Sequence, residues 1–275
     1  LTTFNATTVN ELYNDGKPLD ALTHSQSSTL YGYWRNNGLN TWVNLANPGT
    51  KDSTANTMTE TMLIPQGVDS SRDSQGFIMN RQRNTSSLNF INKAGLGNAK
   101  DRVEAGPFTD IIADGATAAS VGCWMKANGT GGSDDYCTFA GERSSKNILL
   151  CGRTATGRPE ALYRLTTGGN NNSVGGDILQ STSVNIFDGD WHHMVFTFQA
   201  DDRKGRLYVD GSLHDTTDSD HSGDTLDNDD ALFYIGGSDF NQNRNFNGMV
   251  DGVRVYSDAL SAGEVKRNYN ATKGS

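Results

Sequence analysis

Carboxylates are the most abundant groups in this sequence that could do chemistry, but their spacing argues against glycoside hydrolysis. That reaction uses two carboxylates held about 5 to 9.5 Å apart. The closest glutamates in the chain, Glu142 and Glu160, are eighteen residues apart. The neighbouring aspartates at Asp201–Asp202 and Asp229–Asp230 would point to opposite faces of a strand. The sequence therefore predicts a protein that is not an enzyme, with a glycan hydrolase built from an unrecognised aspartate pair as the less favoured alternative.

A second chemical pattern is the acidic stretch between residues 215 and 230. Asp218, Asp220, Asp224 and Asp229 fall near positions 1, 3, 7 and 12 of a calcium-binding EF-hand loop. Position 12 is Asp where such loops carry Glu, and strand patterns flank the stretch on both sides. The stretch therefore predicts either a calcium site or an acidic hairpin in solvent.

Glycan binding requires exposed aromatic rings that stack on sugars, together with polar groups that fix their hydroxyls. The aromatic residues near predicted loops, and the polar residues that accompany them, are Trp42, Tyr136, Tyr163, Phe240, Asn243 and Arg244. We predict that these residues form the ligand-binding set, with ordinary loop residues as the alternative.

Short strands must position these groups. Apolar-rich runs bounded by turn residues predict strands at 30–34, 120–125, 191–198, 206–209 and 249–256. Asp210-Gly211 is a strong signal for a type I′ hairpin turn. Many short strands without a long helical pattern between them predict an all-β, two-sheet antiparallel sandwich of the jelly-roll type.

Short helices are predicted at both ends of the chain. Ser261 and Glu264 have the spacing of a capping box, which predicts a C-terminal helix. A similar entry predicts a helix from about Thr8 to Asn14, ended by Gly16 and Pro18. We therefore divide the chain into an N-terminal helical segment or linker, residues 1–26, and a jelly-roll domain, residues 27–275.

The chain resembles the laminin G-like, concanavalin A-like lectin/glucanase superfamily. The resemblance extends over about residues 30–272 and is looser over 52–118. The segments that carry it, in order, are 120–126, 190–197, 206–211, 234–237, 246–256 and 259–265. It implies a two-sheet jelly roll with a face that binds glycans. The paired strand glutamates of the family's hydrolases are absent, which agrees with a non-enzymatic module.

The same resemblance implies one calcium site. In several family members a calcium ion joins the last core strand to the N-terminal region through an Asp at the position of Asp251 and carbonyl groups of the opening loops. Asn44 stands where relatives often carry an Asp, and the lost charge lowers the expected affinity for calcium. The alternative is that Asp251 hydrogen-bonds to a loop.

Leu12 to Pro18 followed by Leu30 to Arg35 also resembles phrases in structural proteins of tailed marine bacteriophages. This resemblance implies a virion-surface, extracellular module that contacts cell-surface glycans or other virion proteins. A pure assembly protein that forms homo-oligomers without binding sugar is the rival interpretation. The net charge of −9 argues against nucleic-acid binding, and we expect no membrane association because no apolar run reaches 18 residues. The three cysteines, Cys123, Cys137 and Cys151, predict buried free thiols.

Overall fold

The computed structural model describes residues 30–34, 41–42, 44–50, 52–56, 63–65, 86–90, 102–128, 136–141, 147–166, 178–202, 204–217, 224–237 and 246–272. The predicted N-terminal helix and the boundary between residues 26 and 27 lie outside these ranges. No helix in the described part of the chain is long and apolar enough to cross a membrane.

The described residues form mostly strands. The strands are β1 (Leu30–Trp34), β2 (Thr41–Trp42), β3 (Ser53–Asn56), β4 (Leu63–Pro65), β5 (Ser86–Phe90), β6 (Arg102–Pro107), β7 (Ala118–Ala127), β8 (Tyr136–Gly141), β9 (Leu149–Arg153), β10 (Arg158–Leu162), β11 (Ile178–Gln180), β12 (Trp191–Gln199), β13 (Lys204–Val209), β14 (Ser212–Thr216), β15 (Leu232–Ile235) and β16 (Gly248–Tyr256). The helix is α1 (Ala262–Thr272).

The strands pair into two antiparallel sheets of eight strands each. The first sheet has the order β14-β13-β12-β7-β16-β5-β4, with β1 also paired to β16. The second sheet has the order β11-β10-β9-β8-β15-β6-β3-β2. Non-consecutive neighbours in both sheets give the crossed connections of a jelly roll, so the predicted fold class is confirmed.

One apolar core fills the space between the sheets. Phe196 of the first sheet and Phe139 and Phe233 of the second belong to the same fully buried cluster. The Trp34 ring stacks on Phe233 with ring centres 5.9 Å apart, and Phe139 meets Phe246 edge to face at 4.8 Å. Such aromatic pairs add about 1 kcal/mol each to the burial of their surface.

The predicted type I′ turn joins β13 to β14. Asp210 and Gly211 have φ angles of 50° and 74°, and positive φ at both central residues defines this turn. A Cβ at Gly211 would lie within 3.0 Å of side-chain atoms of Lys266 and Tyr269. The turn is therefore closed over by helix α1.

Helix α1 covers part of the outer face of the first sheet. Val265 of the helix packs with Val195 and Tyr208 of the sheet. The Trp124 Nε1–H donates to Thr272 Oγ1 at 2.9 Å, and the Trp124 ring stacks on Tyr269. These contacts attach both ends of the helix to the sheet.

The predicted capping box is present at the start of α1. The Glu264 N–H donates to Ser261 Oγ at 3.3 Å, and Glu264 Oε2 accepts the Ser261 N–H at 2.7 Å. We expect Ser261→Ala to lower the free energy of unfolding by about 1 kcal/mol, because the first turn loses a capping acceptor. Urea denaturation of wild type and variant measures the difference, with Ser257→Ala as a control outside the box. An unchanged midpoint would contradict the capping role.

The three cysteines are free and buried, as predicted. Burial raises the pKa of the Cys123 thiol to about 12 and also raises that of Cys137. Thiols in this state are protonated at neutral pH and act as small apolar groups in the core.

Candidate functional site

The outer face of the second sheet is the candidate site. Strand alternation assigns the faces: Leu150 and Ala161 belong to the core between the sheets, whereas Leu149, Cys151 and Leu162 form a separate buried cluster. The residues that alternate in phase with Leu149, Cys151 and Leu162 therefore lie on the face of the second sheet that points away from the core. We give the name polar face to seven of them: Arg102, Glu104, Thr138, Arg153, Arg158, Glu160 and Tyr234.

One end of the polar face carries a partly buried ion pair. Arg153 Nε lies 3.0 Å from Glu160 Oε1, with the Glu160 side chain fully buried and the Arg153 side chain 28% exposed. Desolvation of a carboxylate is costly unless a cation and hydrogen bonds accompany it. Arg153 therefore compensates the charge of Glu160, and its own side chain stays partly exposed.

A second charged pair lies on β6. Arg102 Nε donates to Glu104 Oε1 at 3.0 Å, and Arg102 Nη2 donates to the same oxygen at 2.5 Å. The Arg102 guanidinium also lies over the ring of Tyr234, 4.9 Å from its centre. Stacking and the ion pair hold Arg102 in place, and the Glu104 side chain remains 26% exposed.

Thr138 contributes an unused hydrogen-bonding group to the polar face. The ladder places Thr138 opposite Cys151, and Cys151 opposite Glu160, in one row across β8, β9 and β10. Thr138 is 1% exposed, and its Oγ1 has no hydrogen-bond partner among the described residues. A buried hydroxyl without a partner costs free energy.

The two glutamates of the polar face are too far apart to act together in hydrolysis. Glu104 is on β6 and Glu160 on β10, and three strands lie between them. Four strand spacings correspond to about 19 Å, compared with the 5 to 9.5 Å or so of glycosidase pairs. Each glutamate is also bound by its own arginine.

The predicted ligand-binding residues are distributed differently. Trp42 and Tyr136 lie on β2 and β8 of the second sheet, where the backbone pairs Trp42 with Ser53 and Tyr136 with Arg153. Phe240, Asn243 and Arg244 lie outside the described residues.

Tyr163 is a correction to the predicted set. Its side chain is fully buried against Phe196 and Phe198 in the core, and its hydroxyl is hydrogen-bonded to Thr217. A ring in this position cannot stack on a sugar. Tyr163 follows the last residue of β10, where the strand alternation turns it toward the core.

Asn44, a predicted calcium ligand, is a buried hydrogen-bonding centre. Its Oδ1 accepts the N–H groups of Tyr33 at 3.0 Å and Ala46 at 3.1 Å. Its Nδ2 donates to the carbonyl oxygens of Tyr31 and Thr50, both at 3.1 Å. An amide oxygen has two lone pairs, so both are occupied, and Asn44 does not fit a calcium ligand in this arrangement.

Asp251 and Asn44 lie on segments that pair with opposite sides of β1. Trp34 of β1 pairs with Val253 on one side and bridges Asn44 on the other, so Asp251 and Asn44 flank the same end of β1. Asp251 Oδ1 accepts the N–H of Gly252 at 2.7 Å. Over the described ranges, no group of three or more His, Cys, Asp and Glu residues could hold a metal ion.

The described part of the acidic stretch does not form an EF-hand loop. The backbone at residues 225–227 bonds alternately to residues 115–116 and to residues 164–166, as a strand does. Asp229 Oδ1 accepts from Asn147 Nδ2 at 2.7 Å, and Asn147 Oδ1 accepts the Asp229 N–H at 2.8 Å. Asp224 is 3% exposed. Asp218 and Asp220 lie outside the described residues, and calcium binding there stays a prediction.

The adjacent histidines of β12 occupy different surroundings, and both are structural. His192 Nδ1 lies 2.8 Å from Asp210 Oδ2, and His192 Nε2 lies 3.0 Å from Asp188 Oδ1. Burial alone would lower the pKa of His192, but its hydrogen bonds to the two carboxylates outweigh burial and raise it. The centre of the His193 ring lies 5.1 Å from that of Trp124 and 6.2 Å from that of Tyr269, and those two rings stack on each other.

Sequence reasoning did not identify the residues of the polar face. The usable signal is a charge at every second position, Arg102 with Glu104 and Arg158 with Glu160, which is the period of a strand. Both segments lack the β-branched and aromatic runs on which strand prediction depends.

A family model described as "Concanavalin A-like lectin/glucanases superfamily" matches residues 96–266. Comparison with curated protein sequences gives no match.

Solved structures share the fold at low sequence identity. The receptor binding domain of botulinum neurotoxin D aligns with a TM-score of 0.58 and 16% identity, over 89% of this chain and 53% of that one. The binding domain of Paraclostridial Mosquitocidal Protein 1 aligns at 0.58 and 12%, over 90% and 53%. A Trypanosoma rangeli sialidase in complex with 2,3-difluorosialic acid aligns at 0.57 and 14%, over 97% and 39%. The chain thus spans about half or less of these proteins.

Proposed function

Because the chain belongs to the concanavalin A-like lectin/glucanases superfamily, we propose that it is a non-catalytic module that binds glycans through its polar face. The observation that carries the proposal is the set of partly exposed charged side chains on the outer face of the second sheet, Glu104, Arg153 and Arg158. The outer face of the first sheet is partly occupied by helix α1. The outer face of the second sheet carries partly exposed charged groups and an unsatisfied hydroxyl.

The chemistry of the polar face suits a sugar. Glycan hydroxyls need fixed donors and acceptors, and the ion pairs at Arg102–Glu104 and Arg153–Glu160 hold such groups in place. The two glutamates are about 19 Å apart, which is too far for them to act as a glycosidase pair, and this distance supports binding without hydrolysis. One neighbour of the same fold is a sialidase in complex with 2,3-difluorosialic acid, which is consistent with a carbohydrate ligand.

A glycan array tests the proposal. We expect purified protein to bind a defined set of glycans without cleaving them. Glu104→Gln should weaken binding about tenfold, because a neutral amide replaces a charge-assisted acceptor. Asp202→Asn, on an exposed aspartate in the turn between β12 and β13 that pairs with Arg206, is the matched control. No binding to any glycan, or equal weakening in both variants, would refute the assignment.

The array also tests calcium and hydrolysis. We propose calcium as a structural ion of the acidic stretch, and the assay is therefore run with calcium and with EDTA. Loss of binding in EDTA supports an ion that organises the site, whereas equal binding removes calcium from the proposal. Release of reducing sugar from a bound glycan would replace the binding module with a hydrolase.

The proposed location is an extracellular one, on the surface of a virion. It is based on the resemblance of residues 12–18 and 30–35 to bacteriophage structural proteins. Mass spectrometry of purified particles tests it, and absence of the chain from intact particles would refute it. Oligomers in solution together with no sugar binding would favour the rival assembly role.

A further inference from the structure

Two arginines face each other at the hairpin end of the polar face. Arg153, the last residue of β9, pairs directly with Arg158, the first residue of β10. Side chains paired in this way have Cβ atoms about 5 Å apart. The residues between them, 154–157, form the turn, so both guanidinium groups lie at one end of the second sheet.

Only one of the two charges is compensated within the described chain. Arg153 is paired with Glu160. Arg158 is half-buried and, among the residues that the structure describes, makes neither an ion pair nor a side-chain hydrogen bond. Like charges directly opposite each other in a ladder are destabilising. The Arg153–Arg158 pair therefore carries one positive charge that no described carboxylate balances, and this charge does not stabilise the sheet.

We infer that Arg158, together with the partly exposed side chain of Arg153, binds an anionic group of the glycan, a carboxylate or a sulfate. This inference rests on the proposed glycan-binding function. A guanidinium presents two parallel N–H donors that match two oxygens of either group. Because the Cβ atoms of the two arginines are about 5 Å apart, both guanidinium groups can contact one such anionic group from opposite sides.

Charge complementarity selects a small anionic substituent over a polyanion. The chain carries a net charge of −9, which repels an extended phosphate backbone. A single carboxylate or sulfate on a sugar contacts only the local positive charge at Arg158 and is little affected by the net negative charge of the chain. The ligand class is therefore an acidic glycan whose other groups lie along the rest of the polar face.

Matched glycan pairs test the inference. The probes are sialylated lactose, sulfated lactose and the neutral lactose parent, followed by a uronic-acid oligosaccharide and its carboxyl-reduced form. We expect at least one anionic probe to bind about tenfold tighter than its neutral counterpart. Arg158→Gln should abolish this preference. Arg206→Gln, which removes the same charge from a partly exposed arginine of the first sheet, should leave it intact.

The outcomes separate the two proposals. Preference confined to the carboxylate probes or to the sulfated probe identifies the anionic group. Equal affinity for acidic and neutral probes, or an unchanged preference in Arg158→Gln, overturns the inference and leaves glycan binding standing. Binding to none of the probes or array glycans overturns both. Arg158→Gln should melt at or above the wild-type temperature because a like-charge contact is removed, so loss of preference through unfolding is detected directly.

Discussion

The free energy of unfolding should fall steeply as the pH is lowered from 7 to 4, and His193 should account for most of the fall. Burial lowers the pKa of His193 to about 3, and the nearby charge of Arg254 adds to this effect. The side chain is 3% exposed, and its Nδ1 has no hydrogen-bond partner among the described residues. The folded protein therefore keeps this ring neutral between about pH 3 and pH 6.5, where a histidine in the unfolded chain is protonated.

The sign of the effect follows from proton linkage. Between pH 6.5 and 3, the unfolded chain binds a proton at His193 and the folded chain does not, so stability decreases as pH falls. A pKa lowered from about 6.5 to about 3 corresponds to about 3 kcal/mol lost at pH 4. His193→Phe removes the titrating group and keeps an aromatic ring beside Trp124 and Tyr269. We expect its stability to change by about 3 kcal/mol less than that of the wild type over this interval.

His192 provides a control of opposite sign on the same strand. Its pKa is raised, and the pKa values of Asp188 and Asp210 are lowered: burial opposes these shifts, but the hydrogen bonds to His192 outweigh it. The contribution of the histidine is complete below about pH 6.5 and fades as pH rises, whereas that of the aspartates fades as pH falls below about 4. His192→Gln should therefore lose stability chiefly between pH 4 and 6.5.

Guanidinium chloride denaturation at pH 7, 6, 5 and 4 measures all three proteins. The expected result is a flatter profile for His193→Phe and a steeper acid loss for His192→Gln. Parallel profiles for wild type and His193→Phe would show that the buried ring does not control acid stability.

The architecture follows from the sequence where strands are apolar and turns are explicit. The predicted strand 30–34 is β1 to the residue, and 249–256 differs from β16 by one residue. The Asp210-Gly211 turn and the Ser261 capping box are also as predicted. These features depend on local rules, since positive φ, capping geometry and apolar alternation are all encoded within a few residues.

The candidate site depends on long-range pairing and was not predictable in the same way. β10 is the charged segment Arg158–Leu162, and it becomes a strand because β9 and β11 pair with it on both sides. The row of Thr138, Cys151 and Glu160 exists only in that register. Tyr163 illustrates the converse, because its position next to a polar segment suggested exposure while the sheet places it in the core.

Replacing Asn44 should have the largest effect of any single polar substitution considered for this domain. The side chain ties the backbone of β1, through Tyr31 and Tyr33, to the loop at Ala46 and Thr50. Asn44→Ala leaves two donors and two carbonyl acceptors without their partner, and Asn44 is only 1% exposed. At about 1 kcal/mol or more for each unmet group, we expect the free energy of unfolding to fall by about 4 kcal/mol.

Asn44→Asp separates this hydrogen-bonding role from a metal-binding one. The carboxylate keeps an acceptor for Tyr33 and Ala46 but places a second oxygen against the carbonyl groups of Tyr31 and Thr50, so we expect a loss of about 2 kcal/mol or more. Urea denaturation with calcium and with EDTA measures both variants, and Asn185→Ala, an exposed asparagine whose Oδ1 accepts only the Phe187 N–H, is the control. If calcium restores Asn44→Asp to wild-type stability, the end of β1 is a latent ion site shared with Asp251. If calcium has no effect, the asparagine amide alone joins β1 to the loop at Ala46 and Thr50.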